Sequence, residues 1–424
     1  MAAGAAVIPA ARHSQHHADV EHRFRQDSDF WYLTGFDEAN AVALLLGHRD
    51  EERFVLFVEP RDPQAETWNG HRWGTEGAVE RFGADVAHPL GDLPTLLPRY
   101  LDGAEAIAFR IGQPGQQTLQ ARVLEAWAEQ LEQRPRRGHA AARLVDPTVL
   151  LHRQRLIKDA HELERLREAA RIAAEAHELA RQAVRPGIAE YDVQALLEHY
   201  FLAAGAREAG YPPIVAGGGN ACILHYTSNR ERLRNGDLLL IDAGCSLMDY
   251  YNSDITRTFP VNGCFSGEQR ELYTLTLAAQ QAALERVSPG ATAEQVHGQA
   301  VEVLVKGLCE LGLLRGDPQG IIERGDYRHL YPHRTGHWLG LDVHDVGAYR
   351  LGEHPVVLEP GMVLTVEPGL YVGDLLAVPE GQPPIEARWK GIGIRIEDDV
   401  VVTAEGAEVL SAAAAKDTAA MEER

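Results

Sequence analysis

Five residues of this 424-residue chain pair a hard donor atom with surroundings that should bury it. LLLID is a continuous apolar run, which reads as a buried strand, yet it ends in Asp242. VLTVEP ends the same way in Glu367, and GIGIRIED in Glu397. An isolated ionised carboxylate in an apolar interior is very costly, so such a group is normally paired or bound to a metal. Asp254, in SDITRTF, follows the turn at Leu247–Asn252 and can face Asp242 across a hairpin. His337 adds a nitrogen donor within HRTGHWLGLDVHDVG, a segment that also holds His333 and His344. Oxygen donors with one imidazole and no thiolate suit manganese or cobalt better than a structural zinc. Each residue has a plainer reading. A single Asp at a strand end is commonly a cap, a His beside Trp338 can be a core residue, and Arg257 or Arg395 can neutralise acids without a cation. The metal reading rests on the set.

That set needs elements that bring distant strand ends together, and the sequence contains a repeat that does so. RPGIAEYDVQALLEHYFLAAGA, from Arg185, is matched by SPGATAEQVHGQAVEVLVKGLCELG, from Ser288. Each copy follows a helix, expected over Lys158–Val184 and Glu268–Val287, and opens a second one, the first over about Tyr191–Ala204. NGDLLLIDAG and PGMVLTVEPG then correspond. Gly236 and Gly361 each precede an acid, Asp242 or Glu367, by six positions. Such a repeat implies two similar half-domains packed face to face, with the strand ends near the pseudo-two-fold axis. The earlier region reads as mixed α/β, with strands at Ala41–Leu46, Arg53–Glu59 and Ala106–Arg110, a helix at Thr118–Gln133 and a turn at Pro135–Gly138. The expectation is an α+β chain with a smaller α/β domain over residues 1–152 and the duplicated domain over 153–424.

Acids outnumber bases by 62 to 41, a formal charge of −21, which argues against nucleic acid or an anionic membrane as partner. Cys222, Cys245, Cys264 and Cys309 form no CxxC pair, and free thiols in a reducing compartment are expected. The N-terminal stretch lacks a basic start and a strong apolar run, and no segment reaches the ~18 apolar residues of a spanning helix, so a cytoplasmic protein is expected. HExxH, GxSxG and GxxxxGK motifs are absent from the sequence.

ILHYT, IDAGC, SDITRTFPVNG, GHWLGLDVHDVG, TVEPGLY and GIGIRIEDD, in this order, resemble the motif series of the Xaa-Pro aminopeptidases, members of the pita-bread metallopeptidases. HRFRQDSDFWYLTGFDE likewise resembles their N-terminal domain. The resemblance implies a C-terminal pita-bread fold, pseudo-two-fold αβ halves around an antiparallel sheet, and a first domain serving substrate access and oligomer contacts. It implies that Asp242, Asp254, His337, Glu367 and Glu397 hold two divalent ions, usually manganese, with cobalt or zinc as alternatives, and that Asp254 and Glu397 bridge them. His225, His333 and His344 match residues lining the substrate site, and Arg395 matches one supporting the ligands. Glu367 is the candidate to take and return a proton; His344 and His225 are candidates to stabilise the oxyanion. The expected substrates are peptides with proline at the second position, acted on by a homo-oligomer of two or four chains. A prolidase restricted to Xaa-Pro dipeptides carries the same ligands, and a non-catalytic binding protein on this fold is a third reading. Creatinase relatives lack the ligands present here. Asp254 follows Asp242 by twelve positions, one more than is usual in the family, and the extra residue is expected in the turn at Met248–Tyr250.

Overall fold

The computed structural model describes residues 3–423, which fall into two compact units, Met1–Arg153 and Gln154–Arg424. In the first unit, β1 (Gly4–Pro9), β2 (Val42–Leu46), β3 (Phe54–Val58), β4 (Val86–Pro89), β5 (Ala106–Ala108) and β6 (Arg143–Val145) form one sheet in the order β4-β3-β2-β1-β5-β6. Alternate residues enter opposite cores because strand side chains point to opposite faces. Val7, Leu44 and Phe57 pack with Leu97, Leu119 and Val123 on one side, and Ile8, Ala43 and Leu56 pack with Phe30, Phe36 and Ala78 on the other. The turn expected at Pro135–Gly138 is instead the last turn of α1 (Gln117–Arg137). Proline near a helix end removes one hydrogen bond only, and Gly138, in the left-handed conformation, closes the helix by donating to Arg134 O.

The second unit is duplicated. Helices α2 (Ala160–Ala183) and α3 (Glu190–Ala203) precede β7 (Ile214–Gly217), β8 (Leu238–Asp242) and β9 (Thr256–Pro260). Helices α4 (Gly267–Arg286) and α5 (Ala293–Glu310) precede β10 (Val363–Val366), β11 (Gly369–Val372), β12 (Ile392–Arg395) and β13 (Asp398–Val402). Equivalent backbone bonds mark the two copies. Gly187 N–H donates to Leu233 O and Leu233 N–H to Ile188 O, while Gly290 N–H donates to Leu358 O and Leu358 N–H to Ala291 O. Gly236 and Gly361 hold φ of 89° and 92°, a region glycine enters without strain. The helix expected from Lys158 starts two residues later. Asp159 caps it in a reciprocal box with Glu162, and Lys158 turns away to a buried ion pair with Asp345. A separate helix, Thr148–Leu156, precedes it.

Strands β8 and β9 are antiparallel with Asp242 opposite Thr256, and the same register reaches the isolated bridge Ser246–Asn252. Leu247 O accepts from Tyr250 N–H and Leu247 N–H donates to Tyr251 O, so Met248, Asp249 and Tyr250 form a three-residue loop with Tyr250 at φ 71°. Because the register is unbroken on both sides of this loop, Asp254 lies diagonal to Asp242 on the same face rather than directly across from it. Gly244 occupies the position opposite Asp254. A Cβ there would meet Ser253 O at 1.7 Å, and one at Gly336, beside His337, would meet Thr365 O at 1.9 Å. Both close approaches admit only glycine.

Between β12 and β13, successive side chains point alternately to and away from the centre. Glu397 and Asp399 face it, and Asp398 points away into a buried network. Asp398 accepts from Arg257 Nη2 and Ser411 Oγ at 2.7 Å, from Gln280 Nε2 at 2.6 Å, and from Lys416 Nζ. Burial opposes its charge, but Arg257 and Lys416 outweigh burial and hold its carboxyl far below the usual range. A depressed carboxyl contributes stability above its unfolded pKa and loses it as pH falls toward the folded one. Replacing Asp398 with alanine leaves the buried Arg257 and the half-buried Lys416 uncompensated and is expected to cost roughly 3–5 kcal/mol. Urea unfolding of both proteins at pH 7 reads that loss. An unchanged midpoint would remove the network from the stability of this strand pair.

Candidate metal centre

Each acid reaches the centre from a strand end. Asp242 closes β8, Asp254 precedes β9, Glu367 follows β10 and Glu397 separates β12 from β13. All four are buried or half-buried. Thr256 carries the junction between halves: its carbonyl accepts from Glu397 N–H at 3.1 Å and its hydroxyl donates to Glu397 Oε2 at 2.7 Å. Glu367 N–H donates to Thr335 O at 2.7 Å, tying β10 to the segment that holds His337. His337 lies in an extended stretch bonded both ways to Thr365. Its Nδ1 donates to Trp338 O at 3.0 Å, which leaves Nε2 aimed at Asp254 Oδ2, 3.4 Å away, and Glu367 Oε1, 3.9 Å away.

Among the described residues, Asp254, His337 and Glu397 form the group whose donor atoms all lie within 4.8 Å of one another. Asp242 and Glu367 line the same cleft of about 550 Å³. The charge balance there is strongly negative. Burial, reinforced by Asp242, raises the Asp254 carboxyl, and burial with Asp254 and Glu367 raises Glu397 well above the ordinary value. Glu367 is pushed up to about 7 by burial, with His337 and Arg395 opposing the rise. Burial lowers His337, but Asp254 outweighs it and brings the imidazole up to about 9. A crowd of mutually repelling oxygen donors around one imidazole nitrogen, which a cation would free of its proton, fits divalent cations.

Two participants carry no sequence signal of the kind that marked the strand ends. Tyr211, ahead of β7, places its hydroxyl 2.5 Å from Asp242 Oδ1 and in a short contact with Asp254 Oδ1. A phenol has one hydrogen, so it can donate to only one of the two carboxylates at a time. Asp399 accepts from Asp254 N–H through both oxygens at 3.2 Å. Neither follows a long apolar run with a single terminal acid. Tyr211 sits in a YPP segment, and Asp399 is the last of three consecutive acids, after Glu397 and Asp398.

The remaining candidates divide. Arg395, also buried, pairs with Asp242 Oδ2 and donates to Tyr371 OH at 2.9 Å and Thr256 Oγ1 at 3.1 Å, so it supports the acids from the floor of the cleft that it helps to line. His333 Nδ1 donates to Arg334 O at 2.7 Å, and its Nε2 accepts from Tyr371 OH at 2.8 Å. Both ring nitrogens are therefore engaged within the protein. His344 lies on the wall with its ring centroid 4.3 Å from that of His337, and His225 lines the same cleft from the loop after Cys222. Cys245 is buried beside the site with its thiol pushed up to about 12 by burial, which suits an inert side chain.

Duplicated helix–strand halves with carboxylates converging between them define the pita-bread metallopeptidase fold, as expected from the motifs. The chain belongs to metallopeptidase family M24, whose family model it matches over residues 164–404, and residues 1–108 match the aminopeptidase P N-terminal domain. It is 42% identical to the Xaa-Pro aminopeptidase of Haemophilus influenzae over 404 residues, 95% of this chain and 89% of that protein. The structure of the Pseudomonas aeruginosa aminopeptidase PepP superposes with a TM-score of 0.93 at 44% identity, covering 99% of this chain and 93% of that one. A zinc-substituted Escherichia coli aminopeptidase P in complex with product gives 0.92 at 42% identity, covering 99% and 93%. The chain is a metallopeptidase that uses divalent ions. Among the described residues no helix is long and apolar enough to cross a membrane.

The raised groups predict a pH dependence. A folded pKa above the unfolded value supplies stability at low pH that is lost as pH rises through the folded value. For Glu367 that loss runs from about 4.5 to about 7, and for His337 from about 6.5 to about 9. Chelator-treated protein should therefore melt at progressively lower temperature from pH 5 to pH 9. Ligation needs these groups deprotonated, so metal affinity should rise over the same interval with release of protons. Calorimetric melting with and without chelator, and metal titrations in buffers of different ionisation enthalpy, measure both. Metal-free protein that gains stability with rising pH would contradict the assignment.

Proposed function

We propose that the chain is a metal-dependent aminopeptidase that hydrolyses the bond between an N-terminal residue and a following proline. The observation that carries this is the convergence of Asp254, His337 and Glu397 within 4.8 Å, with Asp242 and Glu367 in the same cleft. The relatives named as Xaa-Pro aminopeptidases support it. Asp242, Asp254, His337, Glu367 and Glu397 would hold the cations, which when bound acidify water and polarise a carbonyl. Glu367 takes the proton of the attacking water and returns it to the departing prolyl nitrogen, which leaves as a secondary amine. His344 and His225 donate to the oxyanion that develops on the scissile carbonyl. His333, held on both nitrogens, frames the ring pocket instead of moving protons. A prolyl amide lacks an N–H and has a fixed φ, so a site that requires neither a donor nor a flexible residue there accepts it.

Protein reconstituted with manganese should cleave Ala-Pro-Ala between the first two residues and leave Ala-Ala-Ala nearly intact. Cleavage of Ala-Pro alone would establish the prolidase reading, and no cleavage with any divalent ion the non-catalytic one. The finer assignments are two ions per chain with manganese preferred over cobalt or zinc, a homo-oligomer of two or four chains, and a cytoplasmic location. They rest on the family resemblance, and metal analysis, light scattering and fractionation read them directly.

A further inference from the structure

The cleft does not end at the acids. It continues past Glu367 and Thr335 to the first turns of α5, where His297 and Arg334 form part of its wall. The donor directions at this end follow from one hydroxyl chain. Tyr331 is fully buried, and the acceptor its phenol reaches among the described residues is Thr335 Oγ1, at 2.6 Å. A buried hydroxyl hydrogen needs an acceptor, so Tyr331 donates to Thr335. The Thr335 hydroxyl then donates to His297 Nδ1, 2.8 Å away. That leaves the His297 hydrogen on Nε2, with no protein partner among the described residues. Burial first, then Arg334 and Arg328, push this imidazole down to about 4 and keep it neutral. Arg334 forms no ion pair among the described residues and is exposed on the same wall. The rings also make a continuous path: His297 to Tyr331 at 5.7 Å between centroids, and Tyr331 to His333 at 5.0 Å. The two unmatched donors thus lie next to the residue assigned to the proline ring.

We propose that His297 and Arg334 form an oxygen-binding subsite for the part of the peptide that follows proline, taking either its main-chain carbonyl or its terminal carboxylate. The proposal rests on the Xaa-Pro reading of the site and adds a reason for preferring peptides longer than two residues. An imidazole N–H accepts either oxygen as a hydrogen-bond partner, and a guanidinium adds charge for the carboxylate.

The test is steady-state kinetics of the metal-loaded enzyme on Ala-Pro, Ala-Pro-Ala, its C-terminal amide and a five-residue Ala-Pro peptide. His297→Leu should raise KM for Ala-Pro-Ala roughly three- to tenfold, the range of one net hydrogen bond, with kcat nearly unchanged. His297→Gln, which keeps an N–H at the same reach, should recover most of that loss. Arg334→Ala, an exposed change unlinked to Thr335, distinguishes the oxygens. A larger KM rise for the free acid than for the amide identifies the carboxylate, and equal rises, shared by the longer peptide, identify the carbonyl. Unchanged KM in both His297→Leu and Arg334→Ala overturns the subsite. A His297→Leu effect that falls on kcat, equally for Ala-Pro and Ala-Pro-Ala, overturns it too, because that marks a role through Thr335 and Glu367. Wild-type protein that cleaves none of the peptides overturns the Xaa-Pro reading and the subsite with it, whereas wild-type cleavage with indifferent variants overturns the subsite alone.

Discussion

Glu397→Ala is expected to abolish peptide hydrolysis while leaving the metal-free protein as stable as before or more so. Glu397 is bonded on one oxygen by Thr256 and faces Asp254 and Glu367 within the cleft. Removing it deletes a donor from the tightest cluster in the site and one negative charge from the set that would hold the cations. Losing a partner outside the ligand set typically costs 10–100-fold in affinity or activity, so losing a ligand should cost more than about 100-fold in kcat/KM. Metal content measured after gel filtration should fall with it. The stability side has the opposite sign. A carboxyl raised this far by burial and like charge destabilises the fold once ionised, and alanine removes that penalty. Melting in chelator should show no loss at pH 8. Ordinary activity in this variant at micromolar metal would overturn the ligand assignment.

Glu367→Gln is the second large effect, and it separates binding from proton transfer. The amide keeps the shape and one oxygen donor, but it cannot take a proton from water or deliver one to the prolyl nitrogen. General acid–base groups contribute about 10²–10⁴-fold, and kcat should fall by that amount with KM changed little. Glu367 is placed for this role. Its backbone is pinned by Thr335 O, its carboxyl is held near 7, and His333, 3.7 Å from Oε2, is committed to Arg334 and Tyr371 and cannot replace it. Retention of more than about a tenth of wild-type kcat would assign the proton transfers elsewhere, since that loss is below the usual range.

Part of this site is written locally. A carboxylate at the end of LLLID, VLTVEP or GIGIRIED contradicts its own apolar surroundings, and the contradiction marks Asp242, Glu367 and Glu397 without any fold. The repeat is local as well: a glycine lies six positions before each of two acids, with matched helix starts ahead of them. Helix limits were less legible. Lys158 belongs to an ion pair with Asp345 rather than to α2, and Pro135 lies inside α1, because a partner 187 positions away and a terminal glycine cap decide those ends.

Side-chain identity and alternation along the chain thus determined which acids are buried, which histidines accompany them, and that two halves repeat. Only the tertiary structure decided how they meet. Asp254 points inward because the ladder keeps one register through the hairpin, whose three-residue loop closes where Tyr250 turns left-handed. Tyr211 bridges Asp242 and Asp254, Asp399 anchors the Asp254 backbone, and Arg395 pairs with Asp242 at the wall of the cleft. The physical reason is that burial is encoded by neighbours along the chain. Which buried group donates to which acceptor depends on strand pairing across more than a hundred residues, and for His333 and His297 on hydroxyl chains that assign each ring its proton.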